Sequence, residues 1–228
     1  MKLGIIGYGK MGKTIERLAL QYGFSSFVIV DNEEDWKNNS NNLKNCEVAI
    51  EFSTPQTVAS NLTKCFELKL PVVCGTTGWK ERKEELMNLW QNKSGSFIYG
   101  SNFSIGANIF FKLNEFLAKQ MNQQPQYAVS MEETHHIHKK DIPSGTALTI
   151  EQGILSQINH LQNIPIISHR EGEVVGEHLV NYNSSEDYIQ IKHFAHTREA
   201  FAHGALKAAV WLVKNPGVYA FEEVFGRV

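Results

Sequence analysis

Leu3-Gly4-Ile5-Ile6-Gly7-Tyr8-Gly9-Lys10-Met11-Gly12 decides the fold of this 228-residue chain. The apolar run from Leu3 to Ile6 has strand character and leads into Gly-x-Gly-x-x-Gly; helical periodicity then takes over through Ile15, Leu18 and Ala19. Strand, glycine turn and helix in that order give the motif its meaning as a dinucleotide site. Gly7 allows the tight turn, Gly9 lets the backbone approach a pyrophosphate, and Gly12 permits close helix–strand packing. The helix start, which carries Lys10 and Met11, supplies N–H groups for the phosphates. A second apolar run, Phe27-Val28-Ile29-Val30, ends in Asp31, 24 residues after Gly7. An acid there hydrogen-bonds the ribose diol of the adenosine and repels a 2′-phosphate. Asn32, Glu33 and Glu34 follow it, with no arginine, so NADH is favoured over NADPH. Lys10, Lys13 and Lys37 are the residues that could soften this preference and keep NADPH possible. The rival reading is a glycine-rich structural turn in an α/β fold that holds no cofactor.

Further strand–helix alternation extends outward from this stretch. Residues Glu47 to Phe52 read as a strand with a helix from about Gln56, Pro71 to Cys74 as a strand with a helix from Lys80, and Ser96 to Gly100 as another strand. Repeated units of this length imply an α/β, Rossmann-like, doubly wound parallel sheet. Ligands of such sheets lie beyond the carboxyl ends of the strands. Three small, polar loops, the last two with glycine, fall there: Phe52-Ser53-Thr54-Pro55, Gly75-Thr76-Thr77-Gly78-Trp79 and Ser101-Asn102-Phe103-Ser104-Ile105-Gly106. The biased segment Asn38-Asn39-Ser40-Asn41-Asn42 reads as a surface turn.

From Ser104 the pattern changes. Ile109, Phe110, Leu113, Phe116, Leu117 and Met121 predict a long amphipathic helix. Strands at Ile164–Ser168, Glu177–Asn181 and Tyr188–His193 leave no room for crossover helices between them, so a second α+β domain with a mixed or antiparallel sheet is expected. The apolar helix from Ala205 to Val213 is expected to return to the first domain and cover one face of its sheet. The predicted organisation is a dinucleotide-binding domain over residues 1–105 and 199–228, and a substrate-binding and oligomerisation domain over 106–198.

The densest cluster of titratable groups lies in this second part. Glu133-Thr134-His135-His136-Ile137-His138-Lys139-Lys140-Asp141-Ile142-Pro143-Ser144-Gly145-Thr146-Ala147 holds three of the nine histidines, and it follows a strand-like alternation from Gln126 to Glu132. Pro143 restrains the chain, and Ser144 suits the N-cap of a helix over about Gly145 to Ile158. Imidazoles and ammonium groups facing a helix N-terminus make a pocket for a small carboxylate. A solvated polar loop is the bland alternative. Zinc or iron on His135, His138 and Glu132 is another, opposed by the repulsion of Lys139 and Lys140 and by the lack of helical His-x-x-x-His spacing. No metal is therefore expected.

Composition limits the remaining possibilities. With 42% hydrophobic and 20% charged residues the chain is an ordinary globular one, and a net charge of −2 gives no electrostatic reason to expect nucleic acid or a membrane surface. Cys46, Cys65 and Cys74 are odd in number and lack Cys-x-x-Cys spacing, so free thiols in a reducing compartment are expected. Without a signal-like start or a membrane-length apolar run, the reading is cytoplasmic.

The motifs together resemble the dihydrodipicolinate reductases of bacterial lysine biosynthesis. The resemblance rests on the glycine fingerprint, Gly75-Thr76-Thr77-Gly78, Asn102-Phe103-Ser104-Ile105-Gly106-Ala107-Asn108, and above all Glu133-x-His-His-x-x-Lys139-x-Asp141-x-Pro143-Ser-Gly-Thr-Ala. Arg170-x-Gly172-x-Val-Val-Gly176-x-His178 and Arg198-x-x-Phe201-Ala-x-Gly204-Ala extend it to the end of the chain. It implies NAD(P)H-dependent reduction of 4-hydroxy-tetrahydrodipicolinate, a cyclic imine with two carboxylates, to tetrahydrodipicolinate on the diaminopimelate route. His135 would then be the proton donor and Lys139 the catalytic lysine beside it. His136, Gly145 and Thr146 would hold a substrate carboxylate, while Gly75, Thr77, Asn102 and Phe103 would line the nicotinamide ribose and ring. The family's homotetramer, joined through carboxy-terminal sheets, is implied as well. Arg170 and His178 fit either a structural or a functional role, and Arg198 could reach the substrate. Two other readings stay open: another two-domain amino-acid or sugar dehydrogenase, and a non-catalytic NADH-binding sensor.

Overall fold

The computed structural model describes residues 1–92 and 95–228. Two compact units result, one of Met1–Ile105 with Glu199–Val228 and the other of Gly106–Arg198.

The first unit is built as β1 (Lys2–Ile6), α1 (Lys10–Ala19), β2 (Ser26–Val30), α2 (Glu33–Leu43), β3 (Val48–Glu51), α3 (Val58–Glu67), β4 (Val72–Cys74), α4 (Lys80–Asn92) and β5 (Phe97–Tyr99). Helix α5 (Ile105–Met121), strand β6 (Ala128–His135), helix α6 (Gly145–Leu155) and strands β7 (Ile166–Arg170), β8 (Gly176–Asn183) and β9 (Tyr188–Ala195) follow. The chain closes with α7 (Glu199–Lys214), β10 (Val218–Ala220) and α8 (Phe221–Val224).

The sheet of the first unit is six-stranded and parallel, in the order β10-β5-β4-β3-β1-β2. Its register sets Ile6 beside Val30 and Glu51, Glu51 beside Cys74, and Cys74 beside Tyr99. The strand ends thus stand in one row, and the loops that follow gather along one rim. Between β1 and β3 the chain order reverses, which is where doubly wound sheets open a ligand crevice. Helix α7 packs on α1 and the central strands, burying Ala202, Ala205, Leu206, Ala208, Ala209 and Leu212 with Ile15, Leu18 and Phe103. The returning helix therefore covers one face of the sheet, as its apolar residues predict. Its approach is so close that a Cβ at Gly204 would stand 1.7 Å from the Phe103 carbonyl oxygen.

One expectation is corrected here. The Asn38–Asn42 segment is not a turn but the second half of α2. Asn32 caps this helix by accepting the Asp35 N–H at 2.9 Å, and Trp36 and Leu43 bury its inner side. Tertiary burial of two large side chains outweighs the poor helix propensity of the asparagines. Strand β10 and helix α8 have no counterpart in the sequence pattern, since three and four residues are too few to show a periodicity.

In the second unit the sheet runs β7-β6-β8-β9, with β6 parallel to β7 and antiparallel to β8. Helices α5 and α6 bury Phe110, Phe111, Ile150 and Ile154 together with Val129, Met131, Val180 and Tyr182. The stripe assigned to α5 needs revision: Ala107, Phe110, Phe111, Asn114, Ala118 and Met121 face the core, while Ile109, Leu113 and Phe116 are 56%, 51% and 64% exposed. Apolar residues lie on both sides of this helix, so its core-facing side could not be read from hydrophobicity alone. Cys46, Cys65 and Cys74 are free and buried. Among the described residues no helix is long and apolar enough to cross a membrane.

Candidate active site

The glycine turn of the first unit has three distinct steric demands. Gly7 adopts φ +86°, and a Cβ on it would come within 2.2 Å of the Phe52 carbonyl oxygen. At Gly12 a Cβ would meet the Gly7 oxygen at 2.2 Å, whereas beside Gly9 there is nothing within 4 Å. The turn is thus locked at its two ends and open in its middle, with Gly9 as the N-cap of α1 and no acidic residue in the first helical turn. Lys10 is exposed and Met11 half-buried on that turn. Asp31 accepts the Tyr8 N–H at 2.6 Å through Oδ1, so the acid at the end of β2 also fixes the glycine turn. Its own N–H donates to Asp35 Oδ2 at 2.8 Å.

Two neighbouring loops are joined from beneath by a buried acid to which the sequence reading gave no role. Glu51 is fully buried at the end of β3. Its Oε1 accepts the Ser53 hydroxyl, the Ser53 N–H at 3.2 Å and the Asn61 amide at 3.3 Å, and Cys74 Sγ lies 3.3 Å from Oε2. Burial raises its pKa, against the opposing pull of these donors. Thr76 Oγ1 accepts the Ser53 N–H at 2.8 Å, so the loop after β3 is pinned to the loop after β4. Gly75 is required by packing, since a Cβ there would strike the Phe52 ring at 2.2 Å, and Thr77 stays half-buried in the same loop. Asn102 is buried, and its Oδ1 accepts the Ser104 N–H at 2.9 Å. The Phe103 ring is only 1% exposed, packed against Phe52 and Phe221, so its ring belongs to the core and only its main chain is left for a cofactor.

In the second unit, strand alternation builds the candidate substrate site. Val129, Met131, Glu133 and His135 all point to the buried face of β6, so the apolar face ends in a carboxylate and an imidazole. The register places Glu133 between Ser168 of β7 and His178 of β8, and His135 beside Arg170. Glu133 Oε1 accepts the Ser144 N–H at 3.1 Å and the Ser168 hydroxyl at 2.8 Å, and Arg170 lies 3.3 Å from it. Oε2 lies 3.3 Å from His135 Nδ1 and 3.8 Å from His178 Nε2. Burial raises the Glu133 pKa, but hydrogen bonds from His135, Ser144 and Ser168 prevail and hold it far below the usual carboxylate range. His178, by contrast, is pushed down to about 3, first by burial and then by the charge of His135. A neutral His178 and an ionised Glu133 therefore sit behind His135.

The histidine loop is strapped down by Arg170, which donates to the Lys139 and Asp141 carbonyls at 3.3 and 2.8 Å. Lys139 Nζ contacts both Asp141 oxygens, at 2.8 and 2.9 Å. His136 is held below the ordinary histidine range by burial and by the charge of Arg198, so at neutral pH it offers a hydrogen bond and not a charge. The Ile142–Pro143 bond is cis and delivers the chain to Ser144. There Ser144 Oγ accepts the Ala147 N–H at 3.1 Å, opening α6 with Gly145 and Thr146; a Cβ at Gly145 would meet nothing within 4 Å. The trio weighed as metal ligands is not assembled: Glu132 faces His169 at 3.4 Å and His138 faces Glu173 at 3.6 Å. Among the described residues the group with metal-ligand spacing is Glu133, His135 and His178, where the Arg170 guanidinium already supplies positive charge.

Sequence models of dihydrodipicolinate reductase match the whole of this architecture, the N-terminus over residues 1–103 and the C-terminus over 106–225. The chain belongs to the dihydrodipicolinate reductase family. A 4-hydroxy-tetrahydrodipicolinate reductase of Christiangramia forsetii is 39% identical over 98% of this chain and 97% of its own. One from Bdellovibrio bacteriovorus is 34% identical over 100% and 97%. Among solved structures, a dipicolinate-bound dihydrodipicolinate reductase from Paenisporosarcina sp. TG-14 superposes with a TM-score of 0.76 at 20% identity, covering 98% of this chain and 99% of that one, which is a likeness of fold. Dihydrodipicolinate reductases are NAD(P)H-dependent oxidoreductases, and the family's N-terminal domain, matched here over residues 1–103, is the nucleotide-binding one.

Proposed function

We infer that this chain reduces 4-hydroxy-tetrahydrodipicolinate to tetrahydrodipicolinate, using NADH in preference to NADPH. The observation that carries the reading is the loop from His135 to Ser144, which bears the His135 and His136 imidazoles and the Lys139 ammonium group and runs into the N-terminus of α6, where Ser144 Oγ caps the Ala147 N–H and the Asp141 carboxylate accepts from Gly145. In this reading a substrate carboxylate rests on the start of α6 at Gly145 and Thr146, with His136 as a further donor. The conversion balances as loss of water, arrival of a hydride from the nicotinamide at C4, and arrival of one proton. His135 delivers that proton as the ring becomes electron-rich, and Lys139 supplies positive charge where negative charge develops. The nucleotide itself would lie on Gly7, Gly9, Lys10, Met11 and Gly12, with Gly75, Thr77, Asn102 and the Phe103 main chain toward the nicotinamide.

Asp31 supports the choice of NADH, because a carboxylate followed by Asn32 and Glu33 disfavours a 2′-phosphate. The exposed Ile167, Tyr188, Ile189 and Phe194 of the second sheet support self-association there, as a homotetramer. No metal is assigned to the chemistry, and the proposed setting is the cytoplasm. The test is nucleotide oxidation with NADH and NADPH in parallel, the unstable substrate being generated in place by the preceding synthase from pyruvate and aspartate semialdehyde. Oxidation that depends on the synthase and is more efficient with NADH is expected. Binding of NADH without any turnover would move the reading to a sensor.

A further inference from the structure

We propose that Glu133 is the positioning residue of His135: its buried carboxylate holds the Nδ1 side of the imidazole and keeps Nε2 for proton delivery. This inference rests on the reading of His135 as the proton donor.

Three observations carry it. First, Glu133 and His135 share the buried face of β6, two residues apart, so strand geometry alone directs both heads to one spot. Second, Glu133 has two differently committed oxygens. Oε1 is taken by Ser144 N–H, Ser168 hydroxyl and Arg170, whereas Oε2 has no hydrogen bond other than what His135 Nδ1 at 3.3 Å can supply. Nδ1 is likewise buried without another partner and lies 3.3 Å from that oxygen, so each atom has the other as its nearest polar neighbour of opposite kind. Third, the groups around them leave no other role for that oxygen. His178 on β8 is neutral and 3.8 Å away, Arg170 on β7 binds the opposite oxygen, and Lys139 and His136 belong to the loop beyond the strand. Gly176 lets the ring sit where it does, since a Cβ there would come 3.2 Å from His135 Nε2.

A proton donor must be protonated when hydride arrives, and a carboxylate within ion-pairing distance favours an imidazolium over a neutral ring, so taking that charge away works against the donor form. The same carboxylate accepts the N–H of Ser144, the N-cap of α6, so one anion ties the proton donor to the start of the proposed carboxylate cradle.

Glu133→Gln separates charge from shape, because the amide oxygen still accepts from Ser144 and Ser168. With substrate supplied by the synthase, kcat of this variant is expected to fall away at a pH about one unit or more lower than wild type on the basic side. Its dissociation constant for NADH should stay unchanged, and Glu133→Asp should return the limb toward wild type. A Glu133→Gln enzyme that loses rate with its basic limb unmoved would overturn the proposal and leave Glu133 a structural acid. His135→Ala separates the two claims: if it retains turnover, the proton-donor reading falls; if it is inactive while the Glu133→Gln limb is unmoved, only the present inference falls. Should Glu133→Gln not fold, the nitrogen chemical shifts of His135 in the intact protein decide. A neutral ring protonated at Nδ1 supports the proposal, and one protonated at Nε2 contradicts it.

Discussion

Lys139 and Arg170 show how single residues divide the work of the candidate site. Lys139 touches both oxygens of Asp141, and Arg170 fixes the main-chain carbonyls of these same two residues, so the ammonium group is held in place before any substrate arrives. Burial raises the Asp141 pKa, yet the contact with Lys139 prevails and lowers it, so Asp141 stays ionised at neutral pH. Lys139→Ala is expected to lower kcat by about 100-fold to 1000-fold, the cost of removing one preorganised charge from a developing anion. NADH affinity, measured by fluorescence titration, should not change; a weakened NADH complex would contradict the assignment of Lys139 to substrate chemistry. At this scale the sequence pointed to titratable residues in an exposed loop and missed those within strands. Glu133 has the same strand parity as Val129 and Met131, and that parity is the signal of its buried place. Glu51 gave none, because an acid ending an apolar strand reads the same whether it faces solvent or lies beneath two loops.

Elements set the positions that these residues occupy. Helix α6 begins where Ser144 accepts the Ala147 N–H, and the same residue donates its own N–H to Glu133. Ser144→Ala removes the cap and should cost about 1 kcal/mol of stability, read as a lower denaturant midpoint. It should also raise KM for the substrate more than it lowers kcat, since it loosens the cradle and leaves the donor in place; a reverse split would argue against a carboxylate at this helix start. In the first unit, Gly12→Ala should abolish NADH binding or folding, because its methyl group would lie 2.2 Å from the Gly7 oxygen. Unaltered binding by that variant would show that the turn is not held as described. The strand ends and most helices were legible from periodicity and glycine punctuation. Helix α2 was not, because its asparagines signal a turn locally and the burial of Trp36 and Leu43 is a tertiary fact.

Taken as a whole, the molecule places a neutral histidine and an ionised carboxylate in the core of its second unit, and this makes acid stability a property of the fold. Unfolded, His178 titrates near 6.5; folded, burial first and the charge of His135 next bring it to about 3. The unfolded chain therefore binds more protons between these values, and stability is lost as pH falls through that window, by on the order of 5 kcal/mol at its acid end. Glu133 acts in the same direction: its folded pKa is depressed, so its contribution is present above the ordinary carboxylate range and lost below it. Denaturant midpoints measured in steps from neutral pH downward should fall steadily, and His178→Asn should flatten the upper part of that slope. A variant slope equal to wild type would mean that His178 is not buried neutral. The α/β class and its nucleotide turn were legible at this scale because one strand, one glycine motif and one helix suffice to define them. What is carried by register across β6, β7 and β8 was not, since pairing partners 35 to 55 positions apart leave no local signature. The most direct test of the central claim is deuterium transfer: NADH labelled at both C4 hydrogens is supplied with synthase-generated substrate, and the product is weighed by mass spectrometry. Tetrahydrodipicolinate heavier by one deuterium is predicted, and nucleotide oxidation that leaves the product unlabelled would contradict hydride transfer by this enzyme.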